Sequence, residues 1–209
     1  MLSVLVFNAN KNPVIPYFTE KLIGFILFGL VPFLIFIALT GFLSSESIIT
    51  FGATGHFWYI ILPLLLVITV LTFSSSGKKS IQALYPQLRI KGWSLRDILI
   101  SVAGWIIYIL GYEFIFRGIL WISCFSAFGF WPALIINSIL YFIVHLDQGT
   151  AMGFGTIPVG VVFCLLTFIT GSFFPAFLIH AYMAVSMELF SIYRNPDPDV
   201  RFKIKGSGS

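Results

Sequence analysis

The sequence predicts an all-α fold, a polytopic membrane helix bundle of about six transmembrane helices, and three observations predict it. Of 209 residues 58% are hydrophobic and only 10% charged, at a mean hydropathy of +1.00. A water-soluble domain of this size needs far more charge to cover its surface. The apolar residues fall into six runs, each near the roughly 20 residues that cross a bilayer. Lys and Arg are confined almost wholly to alternate connections between those runs.

Leu22–Leu43 and Phe57–Phe73 are the first two spans. The third starts after Ser94-Leu-Arg-Asp97, a capping-box pattern that opens a helix, and continues from Ile98 to about Phe125. Trp131–Leu146, Thr156–Thr170 and Phe173–Tyr193 complete the set. Pro32, Pro63 and Pro175 fall within or at the start of spans, where neighbouring helices supply the missing hydrogen bonds. Between the second and third spans, Ile81, Leu84, Leu88 and Ile90 have the spacing of a short interfacial amphipathic helix. Trp58, Trp121 and Trp131 near span ends fit aromatic belts. Residues 1–205 are expected to form one membrane domain, and Gly206-Ser-Gly-Ser209 reads as an appended linker.

Lys11 and Lys21 precede the first span; Lys78, Lys79, Arg89, Lys91 and Arg96 separate the second from the third; Arg194, Arg201, Lys203 and Lys205 follow the sixth. The alternate loops carry no Lys or Arg. This asymmetry predicts both termini on the cytoplasmic side of a cytoplasmic (inner) membrane. Met1–Phe7 lacks the basic start of a cleaved signal, so the first long apolar run is expected to be retained. The net charge of +4 reports topology and contact with the lipid bilayer, not nucleic acid. Cys124 and Cys164 stand singly in apolar segments and are read as small buried hydrophobes. His56, in an uncharged loop, carries no expectation.

The twelfth basic residue, Arg117, lies inside the third span with Glu113. His145 ends the fourth span, closely followed by Asp147, and the sixth carries His180 and Glu188. Ionisable groups in hydrocarbon cost roughly 2.5–3.5 kcal/mol each on insertion scales, and so are turned inward, paired and functional by default. Glu113 and Arg117, four apart, share a helix face; their pairing either orients a reactive carboxylate or only joins helices. One carboxylate and two imidazoles on three helices supply the groups for hydrolysis by activated water. The same set also suits a metal triad, although no HExxH helix is present.

Tyr112-Glu-Phe-Ile-Phe-Arg-Gly118 resembles the first motif, EExxxR, of the CPBP intramembrane proteases, the CAAX-processing and bacteriocin-processing (Abi) family. Tyr141-Phe-Ile-Val-His145 resembles the second, FxxxH, and His180-Ala-Tyr-Met-Ala184 the third, HxxxN, across roughly residues 95–193. The resemblance implies a glutamate-dependent, metal-independent endopeptidase without cofactor, acting on a membrane-associated peptide or protein. It assigns Glu113 and His145 to water activation, His180 to the oxyanion, and Arg117 to a supporting role. Two positions depart from the motifs. Tyr112 stands where the first glutamate is usual, about 100° around the helix from Glu113, and Ala184 replaces the asparagine. Glu188, on the stripe of His180 and Ala184, is either a replacement polar partner or a carboxylate near the membrane exit. Two other functions stay open: a catalytically silent scaffold or chaperone for a partner membrane protein, and a small proton or ion relay, which the lack of an inverted repeat disfavours.

The depths implied by the spans conflict. At ~1.5 Å per residue, Glu113 lies some 24 Å along its helix from Asp97, towards the outer face, whereas His145 falls near the cytoplasmic end of its own span.

Overall fold

The computed structural model describes residues 13–40, 57–197 and 199–200. Expectations for Met1–Phe7, Lys11, the loop 44–56 with His56, and Arg201, Lys203, Lys205 and the terminal linker lie outside these residues. Six helices are long and apolar enough to cross a membrane, and no strand occurs among the described residues. The protein is an integral membrane protein. We label the helices α1 (Val14–Leu39), α2 (Trp58–Ser76), α3 (Lys79–Leu84, a short surface helix), α4 (Leu95–Phe128), α5 (Phe130–Val144), α6 (Thr150–Thr170) and α7 (Phe174–Tyr193).

Small residues decide how closely the helices approach. Helix α1 runs parallel to α4, and their backbones meet at Gly29 and Gly111: a Cβ on Gly111 would lie 3.1 Å from the Gly29 nitrogen and from the Phe25 backbone. Gly24 and Gly104 make room in the same seam for Tyr108 and Tyr17. Helix α7 runs antiparallel to α4 and is the most buried span, packing on α2 through Thr69–Tyr182 and Thr72–Ser186 hydrogen bonds. The outward faces of α1 and α2 carry exposed Leu34, Leu39, Leu62, Leu66 and Leu71, the apolar surface that lipid covers.

Two helices contain a π-helical turn. In α1 it spans Ile26–Leu30, just before Pro32, whose nitrogen has no hydrogen to donate. In α4 it spans Phe114–Leu120, directly after Glu113. Within the second turn the Phe116 carbonyl accepts from the Trp121 N–H, the wider i→i+5 spacing of a π turn, and also from Nδ2 of Asn137 in α5, at 2.8 Å.

The capping box is formed as expected: Ser94 Oγ accepts from the Asp97 N–H, and Asp97 accepts from the Ser94 N–H. Elsewhere the boundaries shift. The first span begins at Val14, not Leu22, because Lys21 is buried rather than solvated. Its Nζ donates to Gln87 at 2.5 Å and lies 3.7 Å over the Trp105 ring. The amphipathic segment is helical only over Lys79–Leu84; Leu88 and Trp93 turn inward onto Tyr17 and Ile192. Trp121 does not join a belt: it is buried against Ala133 and Cys164, whereas Trp58 and Trp131 are exposed. Cys164 is buried and Cys124 half-buried, both free thiols.

The conflict in depth disappears in the geometry of α5 and α6. Helix α4 has 34 residues, roughly 50 Å at the usual rise, more than a bilayer core requires. Helix α5 has 15 residues, only about 22 Å. The α5–α6 hairpin packs against the second half of α4, through Trp121–Ala133, Phe116–Asn137 and Arg117–Gly160 contacts. Its turn, at His145–Gly149, is therefore level with Tyr112, with His145 half-buried against the bundle and the residues after it exposed. His145 stands at the end of its helix and at the depth of Glu113 together.

Candidate active site

Glu113 ends the regular part of α4, four residues before Arg117, and neither side chain is exposed at all. Arg117 Nη1 lies 3.2 Å from Glu113 Oε2. Its Nη2 donates to the Gly160 carbonyl at 3.4 Å, an approach that glycine permits, since a Cβ there would already touch the Tyr141 ring at 3.3 Å. Around the guanidinium stand the rings of Tyr141 at 4.5 Å and Phe163 at 5.2 Å. A guanidinium remains charged in any such setting, so this enclosure requires a counter-charge, and Glu113 is that counter-charge.

The other carboxylate oxygen meets α7. Glu113 Oε1 lies 2.5 Å from His180 Nδ1. Facing a fixed positive charge, Glu113 accepts as a carboxylate; Nδ1 then carries the proton, and the second ring nitrogen, Nε2, presents its lone pair. His145, half-buried at the C-cap of α5, has its Nδ1 2.8 Å from the Tyr141 carbonyl. A carbonyl only accepts, so here too Nε2 is the free acceptor.

Tyr112 stands between the two imidazoles. Its ring is edge-to-face with His180 at 5.7 Å and with His145 at 6.2 Å, stacked on Phe116 at 4.7 Å and flanked by Tyr108 and Phe28. Tyr141 likewise contacts both imidazoles. The three motif segments thus converge. Glu113, Arg117 and His180 form a continuous bonded chain, and His145 joins it across two tyrosine rings.

Ala184 and Glu188 lie elsewhere. Ala184 packs in the apolar cluster of Trp105 and Ile109. Glu188, buried two turns beyond His180, accepts from the Ser101 hydroxyl at 3.0 Å, the Gln87 N–H at 2.9 Å and the Leu88 N–H at 3.5 Å. It thereby ties the segment after α3 to the bundle. Sequence reasoning missed Asn137, which supports the π-helical turn beside Arg117. Its signal was an amide inside an apolar run, two helical turns before His145 on the same stripe. No group of three or more His, Cys, Asp or Glu side chains among the described residues is arranged to hold a metal ion.

A helical membrane protein in which a buried Glu–Arg–His cluster from two spans meets a histidine from a third is the class that fold and site define. Residues 93–186 match the family model described as Type II CAAX prenyl endopeptidase Rce1-like. That stretch holds Tyr112, Glu113, Arg117, His145, His180 and Ala184, so the chain is similar there to the Rce1-like, CPBP family, the resemblance carried by its motifs. That similarity supports a protease of the CAAX type in general. Neither the curated proteins nor the solved structures provide a match.

Proposed function

We propose that the protein is an intramembrane endopeptidase that hydrolyses a peptide bond in a membrane-associated peptide or protein. The observation that carries this reading is the Glu113–His180 hydrogen bond, 2.5 Å long, with the carboxylate wholly buried. A carboxylate on one imidazole nitrogen orients the ring and opposes the positive charge that arises when the other nitrogen takes a proton. This favours a division of labour different from the one the motif resemblance implies. His180 Nε2 takes the proton of the attacking water, and Glu113 holds the ring. His145, with its own Nε2 free, orients that water. The water oxygen bonds to the scissile carbonyl carbon, His180 returns the proton to the departing amine, and the products are a carboxylate and a free amine. Arg117 keeps Glu113 ionised and fixed.

The α5–α6 turn is short of the basic end of α4, which suggests that substrate and water reach His145 from that end. By the charge asymmetry that end is cytoplasmic, in the inner membrane.

The second reading, a silent scaffold for a partner membrane protein, is favoured by one observation. Glu113 has both oxygens engaged, by Arg117 and His180, and does not itself reach water. Mass-spectrometric screening of a membrane-peptide library with reconstituted protein separates the two. Hydrolysis is expected from wild type, unaffected by chelator, and absent from Glu113→Gln and His180→Ala. Products from Glu113→Gln at the wild-type rate defeat the protease reading; loss of wild-type activity in chelator points to a metal triad instead.

A further inference from the structure

Hydrolysis through a tetrahedral intermediate needs a hydrogen-bond donor aimed at the oxygen on which negative charge develops. In this cluster both imidazoles present a lone pair at Nε2, since Nδ1 of each is bound to an acceptor, Glu113 or the Tyr141 carbonyl. Ala184 has no donor and faces the Trp105–Ile109 core. Arg117 is enclosed behind Glu113 by Tyr141 and Phe163.

One hydroxyl of the cluster is uncommitted. Tyr112 is 6% exposed, and its hydroxyl has no hydrogen-bond partner among the described residues. A buried O–H without a partner destabilises the resting protein, and phenylalanine fills the same space without that cost. The ring is also held on every side, by Phe116, Tyr108, Phe28 and Tyr141. Its O–H is therefore a donor fixed in position before substrate arrives, the property that makes such groups effective.

Resting on the proposed protease activity, we infer that the Tyr112 hydroxyl is the oxyanion donor, hydrogen-bonding the scissile carbonyl oxygen as water adds to the carbon. The residue that replaces the usual glutamate of the first motif thereby takes over the task left vacant at Ala184. Water supplies the nucleophile and His180 handles its proton; Tyr112 keeps its own proton throughout.

The test compares wild type, Tyr112→Phe and Glu113→Gln on a peptide that wild type hydrolyses, with thermal unfolding measured on the same samples. Tyr112→Phe is expected to lower kcat 100- to 1000-fold, to change KM less than about threefold, and to unfold no earlier than wild type. Full activity in Tyr112→Phe overturns the assignment and leaves the protease reading standing. So does a loss of activity accompanied by an equal loss of folded protein, because the hydroxyl then serves the fold. Activity retained by Glu113→Gln overturns the protease reading beneath it.

Discussion

Glu113 and His180, 67 positions apart in the chain, are joined by a 2.5 Å hydrogen bond at a point where the carboxylate is wholly buried. The same carboxylate neutralises Arg117 from the other side, so one residue serves the fold and, in the proposed mechanism, the chemistry. Removing one partner of a buried ion pair leaves an uncompensated charge and costs about 3–5 kcal/mol, whereas replacing both by apolar groups can be neutral. Glu113→Gln and Arg117→Met are each expected to lower the thermal unfolding midpoint clearly. The double variant is expected to regain most of the loss while staying inactive. Additive losses in unfolding measurements would contradict the pairing.

Gly111 is where α1 and α4 touch backbone to backbone. A Cβ there meets the Phe25 and Gly29 backbones at 3.1 Å, and backbone does not move aside as a flexible side chain does. Gly111→Val is expected to destabilise by about 1–3 kcal/mol, the usual cost of overpacking, and to reduce cleavage by displacing neighbouring Tyr112. Thermal unfolding and the peptide assay check both effects.

Asn137 and Ser138 are adjacent and buried yet differ in what they do. Asn137 donates to the Phe116 carbonyl, while the Ser138 hydroxyl has no partner among the described residues. In Asn137→Ala the Phe116 carbonyl keeps the Trp121 N–H but loses its tie to α5, at about 0.5–1.5 kcal/mol, and the variant is expected to lower both unfolding midpoint and cleavage rate. Ser138→Ala is expected to be neutral or slightly stabilising. Equal effects of the two in parallel unfolding scans would contradict this account.

Glu188 anchors the segment after α3 and not the reactive cluster. In Glu188→Ala the Gln87 and Leu88 N–H groups lose their acceptor. Hydrogen exchange is expected to accelerate in residues 85–93, with cleavage falling far less than in Glu113→Gln. A loss of cleavage as deep as that of Glu113→Gln, without faster exchange, would instead make Glu188 part of the site.

Much of the fold and of the candidate site was legible in the sequence, because burying charge in hydrocarbon is rare enough to mark a candidate by itself. Glu113, Arg117, His145 and His180 stood out for that reason, and Ser94 with Asp97 announced the start of α4 through purely local hydrogen bonds. What was hidden depends on partners far away in the chain. Lys21 looked like a boundary because its partners, Gln87 and Trp105, are more than sixty residues distant. Trp121 looked interfacial because nothing local reveals that α4 runs far past the middle of the bundle. The depth of His145 followed from the shortness of α5 relative to α4, which span counting treats as equal. Asn137 was overlooked because its amide ties α5 to a π-helical turn of α4, and that turn has no pattern in the sequence.

The most direct test of the central claim is single-turnover hydrolysis in ¹⁸O-labelled water, with mass spectrometry of the new peptide C-terminus. Wild type is predicted to place the label in that carboxylate, with no labelled product from His180→Gln even though the protein remains folded. Labelled product from His180→Gln at the wild-type rate would contradict the account, because the proton of the attacking water would then be taken by another group.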